Sequence, residues 1–340
     1  MNVFLIVVLF TIGLFCIIKG GDFLVTSAIK LGRLTNLSHM FIGATFVTIA
    51  TAIPEVFVSV IAVIGGNYGI AVGNVIGGMT ANIALVLAIS MIFLPTSEVS
   101  KKEAIVKSLF MIFAFILVFL FSLDLRITWI EGAILIFFFV AFIMYSVIKS
   151  KKASKKNKTT SRQEFTKACE ASTSSSLTKT ERRKIWNEIA IGFLFGQVLI
   201  VMGAFVLVSN AERLADIMGI SETVIGLTLM AFGASAPELT TVIASIRKKS
   251  GDMALGNILG SNIINSTLLL GILVMTSYTR EGALPIAQIT MIIGIPLLIG
   301  VSLLATLPML LRGKTYRWQG IILVSIYALY ITLLAIFRPH

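Results

Sequence analysis

Residues 43–82 read GATFVTIATAIPEVFVSVIAVIGGNYGIAVGNVIGGMTAN, and residues 226–265 read GLTLMAFGASAPELTTVIASIRKKSGDMALGNILGSNIIN. Set residue 43 against residue 226, an offset of 183, and the two stretches align without a gap. Gly43, Thr45, Pro54, Glu55, Ala71, Gly73, Asn74, Gly77 and Asn82 meet Gly226, Thr228, Pro237, Glu238, Ala254, Gly256, Asn257, Gly260 and Asn265. In each copy a Pro-Glu dipeptide sits inside a long apolar run. A carboxylate is costly to keep at membrane depth, so one that is kept there marks a functional site by default.

The rest of the chain supports that depth. Of its 340 residues 57% are hydrophobic and only 13% charged, about half the charged fraction of a soluble domain. The mean hydropathy is +0.97. The apolar residues fall in runs of about 20, the length that spans a bilayer as a helix. These features predict an all-α, polytopic membrane protein with ten transmembrane helices over 3–19, 40–64, 69–94, 105–122, 128–148, 187–208, 221–246, 253–277, 284–311 and 316–337. Cys16 and Cys169 offer neither a disulfide framework nor metal-ligand spacing. The N-terminus has no basic stretch before its apolar run, so the first segment is read as a retained helix rather than a cleaved signal.

Orientation follows from the loops. All 28 basic residues lie in or beside the loops after segments 1, 3, 5, 7 and 9, except Arg126, Arg213, Arg280 and Arg338. By the positive-inside rule these loops are cytoplasmic and both termini are outside. The net charge of +12 is thereby read as topology, not as a nucleic-acid surface. Trp129, Trp186 and Trp318 fall at segment ends, where aromatic belts sit. Residues 149–186, rich in Lys, Ser and Thr, read as a disordered cytoplasmic linker, either a plain tether or a segment regulated by lipid or phosphorylation. The linker separates a first membrane repeat (1–148) from a second (187–340). Each holds five segments, an odd number, so the second repeat is inverted relative to the first. Secondary transporters built this way bind substrate near the midplane, between the repeats. Ser38 and Ser221 are candidate N-caps of the repeated helices.

Of the 16 Asp and Glu, only Glu55 and Glu238 lie deep inside segments, and no Lys, Arg or His lies at similar depth. An unpaired buried charge is not tolerated, so the pair is either protonated or neutralised by a bound cation. Two facing carboxylates match a divalent cation. Pro54 and Pro237 should free carbonyls of about residues 48–51 and 231–234 from the helix ladder, and freed carbonyls lining a cavity coordinate cations. A hard cation such as Ca²⁺ takes about six to eight oxygens. Glu55, Glu238, Thr51, Ser235, Asn82 and Asn265 add side-chain oxygens. The lack of a His–Cys cluster argues against a soft-metal site. The glycines of the two GN-x-x-G runs suit close packing of helices. Asn82 and Asn265, matched in both copies and placed mid-segment, need partners in an apolar setting.

The two stretches resemble the α-repeats of the cation/calcium exchanger superfamily, near its sodium/calcium exchangers. There the first helix of each repeat carries a G-[T/S]-S-x-P-E core and the next carries G-N-x-x-G-S-N-x-x-[N/D]. Here these are ATAIPE (50–55) with GNVIGGMTAN (73–82), and GASAPE (233–238) with GNILGSNIIN (256–265). The resemblance implies a calcium site on Glu55 and Glu238, supported by Thr51 and by the carbonyl of Ala234. It places sodium-associated positions on Thr48, Ala52, Gly78 and Asn82, and on Ala231, Ser235, Ser261 and Asn265. Ala52 and Gly78 stand where serines are usual, and Asn265 where many members have Asp.

The function expected is secondary antiport of Ca²⁺ against Na⁺ across the plasma membrane by alternating access. The alternative is Ca²⁺/H⁺ antiport on the same glutamates. A channel would need a continuous polar pore, and an enzyme a nucleophile with its base; neither pattern is present. No cofactor is expected, Ca²⁺ and Na⁺ being bound only as transported ions. The partners are those ions (or H⁺) and the lipid bilayer; a monomer is compatible with the sequence.

Overall fold

A computed structural model describes residues 3–34, 48–94, 101–156, 179–247 and 251–337. We name its elements in chain order. Helix α1 is Val3–Leu34, α2 Thr48–Gly65, α3 Tyr68–Phe93, α4 Lys101–Phe121 and α5 Trp129–Lys156. Helix α6 is Lys179–Met218, α7 covers 222–247, α8 covers 251–281, α9 is Thr290–Arg312 and α10 Arg317–Phe337. Strands β1 (Arg126–Thr128) and β2 (Ala283–Pro285) form one short antiparallel ribbon, with Ile127 opposite Leu284.

Among the described residues, eight helices are long and apolar enough to cross a membrane: α1, α3, α4, α5, α6, α8, α9 and α10. The other two predicted spans carry the glutamates. Helix α2 is a shorter apolar helix, and residues 40–47 of its predicted span lie outside the described residues. Helix α7 is broken into pieces. Burial sorts the bundle into layers. Helices α3 and α8 are buried along most of their length and form its centre. Helices α1, α4, α5, α6 and α10 turn large apolar side chains outward, such as Phe4, Phe137 and Ile191. On a membrane-spanning helix that face is solvated by lipid and needs no protein partner.

Several boundaries differ from the sequence reading. Helix α1 runs on to Leu34 rather than ending at 19, a length of about 48 Å at 1.5 Å per residue. Gly20 and Gly21 do not stop it, because α1 packs along α6 and the contact outweighs the glycines' weak helix propensity. A Cβ on Gly13 would lie 2.9 Å from the Gly203 carbonyl oxygen, so the two backbones are in direct contact there. Helix α5 continues through Lys156 and α6 starts at Lys179, so both helices run into the stretch 149–186. Trp186 therefore sits within α6, not at its start. Ser221 has the extended backbone of an N-cap, but its hydroxyl makes no capping bond; Ser38 lies outside the described residues. The ribbon was not foreseen. It is held by local chemistry: Thr128 donates its backbone N–H to Glu131 Oε2 at 2.7 Å, which starts α5, and Gly282 ends α8 in the left-handed conformation.

Candidate cation-binding site

The site is built by α2, α3, α7 and α8. The predicted repeat is visible in their local structure. Helix α3 changes to a wider π-helical turn at Asn82–Leu87, and α8 does the same at Asn265–Leu269. Both turns begin on the aligned asparagines. Such turns re-aim side chains and occur often at functional sites.

The prolines act unequally. Helix α7 breaks at Ser235, whose backbone (φ −81°, ψ 2°) leaves the helical region just before Ala236 and Pro237. Helix α2 runs over Pro54 without a break. Among the described residues the break at the proline is therefore present only in the second repeat, while in both repeats the proline offers no N–H to the carbonyl one turn back. Helix α1 reaches these prolines as well: a Cβ on Gly21 would lie 3.0 Å from Pro237 Cγ and 3.7 Å from Pro54 Cγ. The sequence reading had Gly21 in a loop, and no local signal marks it otherwise.

Glu55 and Glu238 are both buried, at 1% and 0% exposure. Asn265 Nδ2 donates to Glu55 Oε2 at 2.6 Å, so an amide on α8 holds the carboxylate on α2. Ser261 Oγ lies 3.4 Å from Glu238 Oε1. Ser235 Oγ lies 3.5 Å from the Gly78 carbonyl, linking the break in α7 to α3. Gly78 faces the first glutamate, since a Cβ there would lie 3.4 Å from Glu55 Oε1 and 3.7 Å from Ser235 Oγ. Asn82, Ala231 and Ala234 are buried on the same elements. Thr48 and Thr51 lie at the start of α2, but their side chains fall outside the described residues.

Several buried polar atoms of the site are unsatisfied. Glu55 Oε1, Asn265 Oδ1 and both amide atoms of Asn82 have no hydrogen-bond partner among the described residues. Leaving such groups buried and unpaired is costly. Oxygens of this kind are what a hard cation binds. Within 40–64, 69–94, 221–246 and 253–277 the sequence has no Lys, Arg or His, so these spans supply no counter-ion to the glutamates.

Packing around the site explains part of the GN-x-x-G pattern. A Cβ on Gly73 would lie 2.8 Å from the Thr223 carbonyl oxygen, and one on Gly77 2.5 Å from that of Leu227, so α3 and α7 touch backbone to backbone. Gly256 is different: its nearest neighbour would be Lys107 Nζ at 3.7 Å. Two buried polar groups carry no assigned role in the sequence analysis, although Asn74 is one of the matched positions of the repeat. Asn74 Nδ2 donates to Ser59 Oγ at 3.0 Å, joining α3 to α2, and Asn262 donates to the Ile258 carbonyl within α8. An amide inside an apolar run was the available signal.

Known proteins resemble this chain over most of its length. An uncharacterized membrane protein of Methanocaldococcus jannaschii is 32% identical over 322 residues, covering 94% of each chain. The sodium/calcium exchanger MaX1 of Methanosarcina acetivorans is 28% identical over 356 residues, covering 95% of this chain and 96% of its own. The fold matches the solved structure of the sodium-calcium exchanger NCX_Mj soaked with Na⁺ and Sr²⁺, with a TM-score of 0.63 and 30% identity over 97% of this chain and 99% of that one. The sequence model of the sodium/calcium exchanger protein family matches residues 5–148 and 188–336, most of both halves, and the chain belongs to that family of multi-pass membrane proteins.

Proposed function

We propose that this chain exchanges Ca²⁺ for Na⁺ across the plasma membrane by alternating access, with Ca²⁺ held between Glu55 and Glu238. One observation carries the reading. Two buried carboxylates, one from each copy of the repeated stretch, meet a set of neutral oxygen donors in spans that contain no basic residue. A divalent cation neutralises the pair; the empty pair is too costly to carry through an apolar interior, so only loaded forms change orientation. Ser235, Ser261, Asn82 and Asn265 supply further side-chain oxygens, as do Thr48 and Thr51. The carbonyls of Ala231 and Ala234 complete the set. Na⁺ competes for the same oxygens, and that competition couples the two fluxes. Both termini face outside and the loop within 149–186 is cytoplasmic, a reading supported by the distribution of Lys and Arg.

The test is ⁴⁵Ca²⁺ uptake into proteoliposomes under an imposed Na⁺ gradient, compared with an imposed pH gradient. The Na⁺ gradient should drive uptake and the pH gradient should not. Uptake that follows the pH gradient and ignores Na⁺ would replace this reading with Ca²⁺/H⁺ antiport on the same glutamates.

A further inference from the structure

A bound cation accounts for the unsatisfied oxygens of the site but not for one of its nitrogens. Asn82 is fully buried, and among the described residues neither of its amide atoms has a hydrogen-bond partner. A cation can take Asn82 Oδ1. It cannot take Nδ2, which carries two N–H donors and no acceptor. Leaving a buried donor unpaired is costly, so Nδ2 calls for an acceptor that it does not reach in this conformation.

The repeat points to that acceptor. The offset of 183 pairs Asn82 with Asn265 and Glu238 with Glu55. Each asparagine opens a π-helical turn of its helix, Asn82–Leu87 in α3 and Asn265–Leu269 in α8. Asn265 Nδ2 donates to Glu55 Oε2 at 2.6 Å, from the second repeat to the first. With the repeats exchanged, the counterpart is a bond from Asn82 Nδ2 to the Glu238 carboxylate, which in this conformation has Ser261 Oγ 3.4 Å from its Oε1. One of two equivalent clamps is therefore closed and the other open. The halves are also unequal at their prolines, since α7 breaks at Ser235 and α2 does not break.

Two inverted repeats that hold unequal conformations define a second state, in which the conformations are exchanged and the site opens to the opposite side. We infer that the two amides alternate. Asn265 holds Glu55 in this conformation; in the oppositely facing one Asn82 Nδ2 holds Glu238 and Asn265 releases Glu55. The asparagines thus act as positioning residues through Nδ2, and each leaves its Oδ1 to the ion. This alternation rests on the alternating-access reading above and supplies what distinguishes the two states at the site. Because each clamp stabilises one state only, losing it shifts the population toward the other. A hydrogen bond to a charged group corresponds to about tenfold or more in that equilibrium.

Two cysteines report the facing of the site. Ser59 and Val242 are matched by the same offset, buried, and about one helical turn beyond Glu55 and Glu238. In the inverted topology Ser59 lies toward the outside and Val242 toward the cytoplasm. Ser59→Cys and Val242→Cys are made separately in the full-length chain lacking Cys16 and Cys169. Their rates of reaction with a small, membrane-impermeant thiol reagent are measured in right-side-out and inside-out vesicles respectively, without Na⁺ or Ca²⁺. Asn265→Leu and Asn82→Leu should move the ratio of the two rates in opposite directions, each by about tenfold or more. Asn265→Ala and Asn82→Ala serve where a leucine variant does not fold. Shifts in the same direction, or no shift, overturn the alternation and leave cation exchange, which ⁴⁵Ca²⁺ transport by the unaltered chain measures separately, intact. Failure of either reporter to react in any variant means that the site is not opened on that side, and it overturns the alternating-access reading together with the alternation.

Discussion

The side-chain amide of Asn265 donates to the carboxylate of Glu55 at 2.6 Å across a separation of 210 residues. This contact joins a helix of the second repeat to the glutamate of the first, and it does so at the start of the π-helical turn Asn265–Leu269. An amide fixes the carboxylate in place without adding charge, and it leaves Glu55 Oε1 free of other hydrogen bonds among the described residues.

Removing that amide should therefore weaken cation binding more than folding. A hydrogen bond to a charged group contributes about 1.5–3 kcal/mol. Asn265→Leu is expected to raise the Ca²⁺ concentration for half-maximal binding by about tenfold or more. Titration of the purified variant with ⁴⁵Ca²⁺ measures this; an unchanged midpoint would mean that the contact does not position Glu55 for the ion.

The serines of the second repeat give a separate test, aimed at sodium. Ser235→Ala with Ser261→Ala removes hydroxyls next to Gly78 and Glu238. The Na⁺ concentration for half-maximal Ca²⁺ exchange should rise by about 30-fold, taking about 1 kcal/mol for each of the two lost oxygen contacts. Gly78→Ser with Ala52→Ser should lower it, because position 78 looks onto Glu55 Oε1. Exchange kinetics measured over a range of Na⁺ decide the matter, and indifference of both double variants to Na⁺ would remove these residues from the sodium site.

The glycines of the two GN-x-x-G runs should differ in their tolerance of a methyl group. Gly77→Ala places a Cβ 2.5 Å from the Leu227 carbonyl oxygen on the facing helix, and overpacking of this kind costs about 1–3 kcal/mol. Gly256→Ala meets nothing nearer than 3.7 Å and should be neutral or slightly stabilising, since alanine favours a helix over glycine by about 0.5–1 kcal/mol. Thermal unfolding in detergent should show a lowered midpoint for Gly77→Ala only. Equal effects would contradict the asymmetric packing.

Much of this arrangement could be read from residues alone, and the limits have physical causes. Glu55 and Glu238 stood out because a lone charge in an apolar run has no cheap explanation. The close packing of Gly73 and Gly77 was legible from the small-residue spacing. The partner of Glu55 was not, because pairing across two repeats is set by tertiary packing. The unequal prolines were hidden for a similar reason: the same Pro-Glu dipeptide breaks α7 at Ser235 but not α2. The extension of α1 past Gly21, which brings it against both prolines, comes from its packing on α6, and no local propensity announces it.

Orientation can be tested without transport. In a background lacking Cys16 and Cys169, a cysteine placed at Ser174 should be protected from a membrane-impermeant thiol reagent in intact cells. It should react once the cells are permeabilised. Labelling in intact cells would reverse the assigned topology, in which the basic loops are cytoplasmic.

The most direct measurement is Na⁺-gradient-driven ⁴⁵Ca²⁺ uptake by the variant carrying both Glu55→Gln and Glu238→Gln. Glutamine keeps the shape and hydrogen-bonding capacity of each side chain and removes the charge, so the protein should insert and fold while uptake falls to the level of protein-free vesicles. Ca²⁺ uptake equal to that of the unaltered chain would contradict the claim that the cation is held between these two carboxylates.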